Sequence, residues 1–274
     1  MKIATAQSIV SKSVSQNGTE IRNLIKKGKE QGASLVHFCE GALSGYTKQQ
    51  IGAWTNFKFN KIREELKQIQ DLCKQLNIWA VIGSAHQLSI PNKPHNSLYI
   101  ISNEGTIVNR YDKRKCSNNE LKDWYTPGFD LCIFEINGIK FSCAICIEIQ
   151  FYEIFSESAQ LGIDCMLFSS YSKDSMYGIQ AQGYAASNNY WISMSVPTNE
   201  SKDQPSQFIG PNGHIVNRCR SNESDLIISE INKNDEKWVK SLKFAKPWRT
   251  EARIGKIYSE KSVNDNRSKL KTIT

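Results

Sequence analysis

Short apolar segments with the pattern of β-strands alternate with amphipathic helical segments along most of the chain. Residues 17–31 and 59–76 carry apolar side chains three or four positions apart, which is typical of a helix that buries one face. An apolar strand-like segment follows each helix, at 33–39 and 78–83, and another one, at 2–9, opens the chain. Strands that alternate with helices predict an α/β fold with parallel strand pairs.

Three predicted hairpins interrupt this alternation. Their turns are Asn103-Glu104-Gly105, Asn137-Gly138 and Pro211-Asn212-Gly213, which are typical turn sequences. The flanking strands are expected at 98–102 and 106–111, at 132–136 and 140–147, and at 206–209 and 214–218. Because the strands of a hairpin are antiparallel, we expect mixed sheets.

The rest of the chain continues the pattern. Helices are predicted at 151–161 and 179–188, and strands at 163–169, 190–196 and 225–231. No stretch rich in Pro, Gly or Ser divides the chain, so we expect one domain over 1–258, followed by a polar C-terminal tail over 259–274.

Composition narrows the class of protein. Hydrophobic residues make up 39% and charged residues 23% of the chain, as in an ordinary globular protein. No run approaches the roughly 20 apolar residues of a membrane helix, and the N-terminus has no signal-peptide pattern, so we expect a cytoplasmic protein with no membrane partner. The formal net charge of +8 comes from dispersed Lys and Arg, which favours a solvated surface over nucleic-acid binding. The positive net charge leaves open the possibility of an acidic substrate.

The cysteines do not form a recognisable metal or disulfide pattern. All eight occur singly within strand- or helix-like segments, so most are expected to be reduced and buried. Cys143 and Cys146 form a CxxC, but it lies inside an apolar run, without a second pair or a nearby His. We therefore expect no metal and no cofactor.

Candidate nucleophiles are few. The chain has four His and no GxSxG, which disfavours a serine hydrolase, and it lacks glycine-rich phosphate loops. Cys146 lies where a predicted strand turns toward a helix, and there the free backbone N–H groups can bind negative charge. Taken alone, a cysteine in an apolar run is more often a packed core residue than a nucleophile.

Two charged residues strengthen this interpretation. Glu40 ends the buried segment 33–39, and Lys113 ends the predicted strand 106–111. Either residue alone could lie on the surface. Three strand ends that present Glu40, Lys113 and Cys146 together would form a coherent site.

These segments resemble the nitrilase superfamily of carbon–nitrogen hydrolases. The resemblance extends from residue 1 to about residue 258, with three departures: Cys39 replaces a usual Pro, and Gln150 and Tyr152 replace a usual Arg and Pro. The matching blocks, in chain order, are Lys2–Gln7, Phe38-Cys39-Glu40 with Gly45-Tyr46, Asn96-Ser97 with Tyr111-Asp112-Lys113, Tyr125-Thr126-Pro127-Gly128, Gly138 to Glu153, and Pro247 to Tyr258.

The resemblance implies a four-layer αββα sandwich of two mixed sheets, assembled into a homodimer or a larger homo-oligomer. It also implies that Glu40 is the general base and Cys146 the nucleophile. Lys113 and the backbone N–H of Ile147 would then stabilise the oxyanion.

Further site residues are less constrained. The family often has a second glutamate, which Glu120 matches, although its spacing to the Tyr-Thr-Pro-Gly turn is one residue longer than expected. Asp123, or a surface role for Glu120, is the alternative. Glu148 is expected to pair with a buried polar group near the turn. Aromatic residues that line the pocket, or else pack at the sheet edges, are Tyr46, Trp124, Tyr171 and Tyr177.

The implied reaction is hydrolysis of a small linear amide or N-carbamoyl compound through a cysteine thioester, with release of ammonia or an amine. A nitrilase or an acyl-transferring member would use the same thioester chemistry. A non-catalytic binding or scaffold homologue is the alternative from a different class. The substrate itself does not follow from the sequence.

Overall fold

The computed structural model describes residues 1–272, which form two six-stranded sheets. The first sheet has the strand order β12-β1-β2-β3-β4-β5 and the second has the order β11-β10-β9-β8-β7-β6. In chain order the strands are β1 (Lys2–Gln7), β2 (Leu35–His37), β3 (Trp79–His86), β4 (His95–Ile101), β5 (Ile107–Asp112), β6 (Ile133–Ile136), β7 (Ile139–Ile145), β8 (Cys165–Ser169), β9 (Trp191–Ser195), β10 (Gln207–Ile209), β11 (Ile215–Arg218) and β12 (Asp225–Glu230).

Both sheets are mixed, as predicted. In the first, β1, β2 and β3 are parallel, and β4, β5 and β12 pair antiparallel with their neighbours. The second sheet repeats this arrangement, with β7, β8 and β9 parallel and β6, β10 and β11 antiparallel. All three predicted hairpins are present, as β4–β5, β6–β7 and β10–β11.

Helices cover the outer face of each sheet. The α-helices are α1 (Val14–Glu30), α2 (Phe59–Leu76), α3 (Tyr152–Gln160), α4 (Ser175–Asn188), α5 (Lys246–Ile254) and α6 (Lys256–Ser259). The apolar faces of α1 and α2 pack on the outer side of the first sheet, and α3 and α4 pack on the second. The layers are therefore α, β, β and α, which confirms the predicted sandwich.

The two sheets face each other across an apolar interior that contains a line of polar side chains. His37 of the first sheet contacts Ser193 through Nδ1 at 2.9 Å and Ser169 through Nε2 at 2.8 Å, and both serines belong to the second sheet. Thr5 reaches Ser193 at 2.7 Å. These hydrogen bonds satisfy buried polar groups and join the sheets close to the ends of β2 and β8.

The chain leaves β2 in a tight turn that brings Glu40 beside β3. Gly41 has a φ of +64°, in the left-handed region that favours glycine. Gly83 of β3 lets this turn approach closely, because a Cβ on Gly83 would lie 2.1 Å from the carbonyl oxygen of Cys39. Glu40 can therefore take this position only because residues 41 and 83 are both glycines.

Several predicted boundaries shift. The strands expected at 33–39 and 140–147 occupy Leu35–His37 and Ile139–Ile145, because the chain turns before Glu40 and at Cys146. The helix expected at 179–188 begins at Ser175, since the Asp174 side chain accepts from the N–H of Met176 and caps it.

The C-terminal part forms short helices. These are α5 and α6, which end at Ile254 and Ser259, and a 3₁₀ helix at Asn266–Lys269 within the predicted polar tail. Residues 273 and 274 of the predicted tail lie outside the described residues. Across residues 1–272, no helix combines the length and the apolar character that a bilayer crossing requires.

Candidate active site

Strand ends from both sheets meet in one buried site. Glu40 follows β2 and Lys113 directly follows β5 in the first sheet, while Cys146 directly follows β7 in the second. The exposed fractions are 0% for Glu40, 1% for Lys113 and 7% for Cys146. The sandwich thus brings together all three residues that the sequence singled out.

A buried ion-pair network surrounds Lys113. Its Nζ donates to Oε1 of Glu40 at 2.9 Å and to Oε1 of Glu120 at 2.7 Å. Asn96 Nδ2 donates to the same oxygen of Glu40 at 2.7 Å. The Glu120 carboxylate also accepts the backbone N–H of Ser117 at 2.8 Å. Glu120 is therefore at the site, whereas Asp123, the alternative, is exposed.

The unexpected spacing of Glu120 has a local structural cause. Residues Glu120–Trp124 form a π-helix, in which the N–H of Tyr125 donates to the carbonyl of Glu120 at 2.8 Å. A π-helical turn accommodates one more residue than an α-helical turn. The additional residue is accommodated there, and Glu120 still reaches Lys113.

The charges in this network shift the pKa values of its members. Burial raises the pKa of Glu40, and the Glu120 charge raises it further, against the opposing effect of Lys113. Burial would also raise the pKa of Glu120, but Lys113 and the Ser117 donors outweigh it and hold the pKa below its usual range. Burial would lower the pKa of Lys113, but the two carboxylates raise it well above the ordinary value. Lys113 is therefore a permanent cation.

One carboxylate oxygen of Glu40 is left for other chemistry. Oε1 accepts the hydrogen bonds from Lys113 and Asn96, whereas the buried Oε2 has no hydrogen-bond partner among residues 1–272. A buried carboxylate oxygen without a donor costs free energy, so such atoms are rare in folded proteins. Glu40 has the free acceptor and the raised pKa that a general base needs.

Cys146 occupies a backbone conformation that is unusual for its residue type. Its φ is +50°, at the point where β7 ends and a 3₁₀ helix over Cys146–Gln150 begins. Burial, followed by the Glu40 charge, raises the pKa of the thiol, while Lys113 and the backbone N–H of Tyr171 lower it. The resting thiol is therefore protonated and requires a base.

The backbone N–H of Ile147 lies in the first turn of the same 3₁₀ helix, where an N–H group has no acceptor within the helix. It is the second residue of that helix and directly follows Cys146. This N–H is the backbone group that the family resemblance assigns to the oxyanion.

Tyrosines surround the site on the side of α4. The rings of Tyr46 and Tyr171 are stacked with centroids 4.9 Å apart, and the Tyr46 hydroxyl donates to Oε1 of Glu120 at 3.4 Å. Burial raises the pKa of the Tyr177 hydroxyl, and the Cys146 and Glu40 charges raise it further. Trp124 is half-buried, and its ring contacts Trp54 edge to face with centroids 6.3 Å apart.

Sequence reasoning missed two residues near the network. Asn96 was noted only as part of a block, yet it donates to Glu40. Tyr125 is buried, and the charges of Glu40 and Glu120 help raise the pKa of its hydroxyl. Asn96 lies near the start of β4 and pairs with Ala85 of β3. Nothing in the local sequence therefore indicates that its side chain contacts a carboxylate.

A polar cavity of about 740 Å³ adjoins the segment between Tyr171 and Tyr177. Its charged lining has both signs: Lys173, Asp174, Glu200, Lys202 and Asp203. Glu40, Lys113 and Cys146 are not among its lining residues. In the described part of the chain, no three His, Cys, Asp or Glu side chains are arranged to hold a metal ion.

Relatives of known activity include amidases. An omega-amidase from Danio rerio is 22% identical over 281 residues, which cover 96% of this chain and 98% of that protein. A glutamine-dependent NAD(+) synthetase from Acinetobacter baylyi is 25% identical over 159 residues. That alignment covers 56% of this chain but 28% of the synthetase, so the chain matches less than a third of that relative's length.

Solved structures share the fold. An amidase from Nesterenkonia sp. AN1 superposes with a TM-score of 0.79 at 17% identity, over 95% of this chain and 99% of that one. The glutamine-dependent NAD+ synthetase of Acinetobacter baumannii gives 0.71 at 21% identity, over 83% of this chain and 44% of that one. The resemblance read from the sequence blocks is confirmed by the sequence model of carbon–nitrogen hydrolases, which matches residues 2–240. The chain belongs to this family.

Proposed function

We propose that the protein hydrolyses a non-peptide C–N bond of a small linear amide or N-carbamoyl compound through a thioester on Cys146. The observation that carries the proposal is Oε2 of Glu40, a buried acceptor without a donor among residues 1–272, on a carboxyl with a raised pKa. Glu40 acts on the Cys146 thiol, whose pKa responds to the Glu40 charge. A buried protonated thiol becomes a nucleophile only when a base removes its proton, and Glu40 is such a base.

The first half of the reaction forms the thioester. Glu40 takes the thiol proton while the sulfur of Cys146 bonds to the carbonyl carbon, and the C=O electron pair moves onto oxygen. The Lys113 ammonium and the Ile147 N–H stabilise this oxyanion. When the oxyanion collapses, the C–N bond breaks and Glu40 returns its proton to the leaving nitrogen. The products are ammonia or an amine and the acylated Cys146.

The second half releases the acid. Glu40 takes a proton from water as the water oxygen bonds to the thioester carbon, and the same donors stabilise the second oxyanion. Collapse then breaks the C–S bond, and the proton on Glu40 returns to the sulfur. Glu40 thus acts alternately as base and acid, which suits a carboxyl whose pKa lies above its ordinary value.

The relatives support this chemistry at the level of reaction class. The matched relative from Danio rerio is an omega-amidase, and one structure of the Nesterenkonia amidase shows Michael addition of acrylamide at its active-site cysteine. That structure has a TM-score of 0.78 at 17% identity, so the likeness itself shows only the fold. The buried network argues against a scaffold protein, because a binding surface gains nothing from charges held away from water.

The test combines product detection with trapping. Wild type and C146A are incubated with a panel of linear amides, N-carbamoyl amino acids and nitriles, and ammonia or amine release is measured. Intact-mass spectrometry then follows an acyl adduct on Cys146. We expect release and an adduct from wild type with at least one amide or carbamoyl compound, and neither from C146A.

Other outcomes decide between the alternatives. Normal hydrolysis by C146A would overturn the proposal. Activity on nitriles alone would indicate a nitrilase, and transfer of the acyl group to an added amine in preference to water would indicate an acyl transferase. No adduct with any compound would favour a scaffold. Assembly as a homodimer or larger oligomer is a separate prediction, and light scattering on the purified chain checks it.

A further inference from the structure

Glu148 accepts four hydrogen bonds at the point where the two sheets approach the site. Its side chain is fully buried. Oε1 accepts the backbone N–H groups of Arg114 at 2.7 Å and Lys115 at 3.0 Å, and Oε2 accepts the N–H of Ile145 at 2.7 Å. The hydroxyl of Tyr111 lies 2.8 Å from both oxygens.

The donors to Glu148 belong to two segments that carry candidate site residues. Tyr111, Arg114 and Lys115 flank Lys113 at the end of β5, which belongs to the first sheet. Ile145 is the last residue of β7 in the second sheet and directly precedes Cys146. A single carboxylate therefore ties the segment that carries Lys113 to the segment that carries Cys146.

We propose that Glu148 is a positioning residue that fixes the Cys146 sulfur and the Ile147 N–H relative to the Lys113 ammonium. The inference rests on the proposed function, because it assigns these groups to nucleophile and oxyanion. Glu148 itself does not touch the substrate. It acts by holding two strand ends from different sheets, which no backbone hydrogen-bond ladder connects.

Glu148 and its four donors form a clamp between the two strand ends. This clamp requires an ionised carboxylate. All four groups that face Glu148 donate, and a carboxylate only accepts. A glutamine has the same shape, but it would direct its own N–H₂ group at some of these donors. The clamp would then lose at least one connection, and the unpaired donors would remain buried. Glu148→Gln therefore changes the hydrogen bonding with almost no change in volume.

The expected effect is kinetic and specific. A displacement of about 1 Å between reacting groups costs about 10²-fold in rate. We expect kcat of Glu148→Gln to fall about 10²-fold, while KM changes little because the buried Glu148 carboxylate contacts only donors of the protein itself. A merely structural role would lower the melting temperature and leave kcat per folded molecule unchanged.

Asp164, which directly precedes β8, provides a matched control that contacts the same strand as Glu148, namely β7. Its Oδ2 accepts the backbone N–H of Lys140 at 3.0 Å, so it holds the beginning of β7 as Glu148 holds its end. Asp164→Asn makes the same carboxylate-to-amide change far from Cys146. We expect both variants to melt at lower temperature than wild type, and only Glu148→Gln to lose kcat. Tyr111→Phe removes one donor and leaves the carboxylate, and we expect an intermediate loss of kcat.

The experiment measures kcat and KM of the three variants and wild type on the best amide of the panel, with circular dichroism to establish the folded fraction. Equal kcat for Glu148→Gln and Asp164→Asn would overturn the proposal. If Glu148→Gln does not fold, the test uses Tyr111→Phe in its place. A kcat of Tyr111→Phe equal to that of Asp164→Asn would then overturn the proposal.

A second measurement separates this proposal from the proposed function. If wild type hydrolyses nothing, the proposed function fails, and alkylation of Cys146 by iodoacetamide is followed instead by peptide mass spectrometry. We expect alkylation in Glu148→Gln to be at least tenfold slower than in Asp164→Asn. Equal alkylation rates would show that Glu148 does not position the thiol.

Discussion

Oε1 of Glu40 and Nζ of Lys113 are 2.9 Å apart, with side-chain exposures of 0% and 1%. Glu120 adds a second carboxylate at 2.7 Å from the same nitrogen. Two negative charges and one positive charge are therefore held away from water, although the desolvation of each ion costs several kcal/mol. Replacement of such a group by apolar side chains is often neutral or stabilising, so its presence is better explained by chemistry than by stability.

Loss of the Lys113 cation should affect stability and activity together. Lys113→Met leaves two buried carboxylates without a counterion, and breaking a buried pair in this way costs about 3–5 kcal/mol of unfolding free energy. Loss of an oxyanion donor also lowers kcat by about 10²–10³-fold. Urea unfolding and amide turnover measure the two effects.

The control is Lys67→Met, because Lys67 pairs with Asp71 at 2.7 Å on the exposed surface of α2. We expect it to leave both the unfolding free energy and kcat nearly unchanged. A stable, fully active Lys113→Met would contradict the assigned role of Lys113.

Glu120 should tune the pKa of Glu40. The Glu120 charge is one of the causes that raise the pKa of Glu40. Glu120→Gln removes that charge, so the pKa of Glu40 falls. Because Glu40 must be ionised to accept the thiol proton, the acidic limb of the kcat/KM profile should move to lower pH, as pH-rate measurements would show.

Asp123 supplies the comparison, since it lies three residues away in the same π-helix and is exposed. Asp123→Asn should leave the acidic limb in place. If both variants shifted the limb equally, the effect would come from the general charge of the segment rather than from the buried Glu120 carboxylate.

The strand ends and the three central residues could be predicted because each depends on local sequence. Glu40, Lys113 and Cys146 each follow an apolar run, so each lies where a strand ends, the first two in the first sheet and Cys146 in the second. Strand boundaries were less accurate at Cys146, because a left-handed φ at a non-glycine residue has no local sequence signal. The π-helix at Glu120 explains why the count of residues to the Tyr-Thr-Pro-Gly turn left Asp123 open as the alternative to Glu120.

Contacts between distant segments could not be predicted. Asn96 reaches Glu40 across 56 positions, and Tyr111 reaches Glu148 across 37. Such pairs follow from strand order and sheet packing, and periodicity alone fixes neither. The arrangement of the aromatic residues could not be predicted either, since the stacking of Tyr46 on Tyr171 depends on how two loops meet.

Asn96 should shift the pH profile in the direction opposite to Glu120. Its hydrogen bond of 2.7 Å favours the ionised form of Glu40 and lowers the pKa of that carboxyl. Asn96→Ala removes the donor, so the pKa of Glu40 rises and the acidic limb of kcat/KM moves to higher pH. Asn92→Ala, in an exposed turn before β4, is the control and should not move the limb. A shift of the Asn96→Ala limb to lower pH would contradict this account.

His37 should make the fold less stable as the pH falls. Burial lowers the pKa of His37 from 6.5 to about 3, so the imidazole is neutral between the sheets. The unfolded chain binds a proton below pH 6.5 that the folded chain does not bind, and stability therefore decreases as the pH falls from 6.5 toward 3. Between pH 7 and pH 5 this single group accounts for about 2 kcal/mol.

The change His37→Gln removes the titrating group and keeps a polar side chain that can reach Ser169. We expect its unfolding free energy in urea to vary about 2 kcal/mol less than that of wild type between pH 7 and pH 5. His214→Gln alters an exposed histidine in the β10–β11 turn and should keep the wild-type pH dependence. The same pH dependence in His37→Gln and wild type would show that the imidazole between the sheets is protonated in the folded state. The neutral hydrogen bonds to Ser169 and Ser193 would then be wrongly assigned.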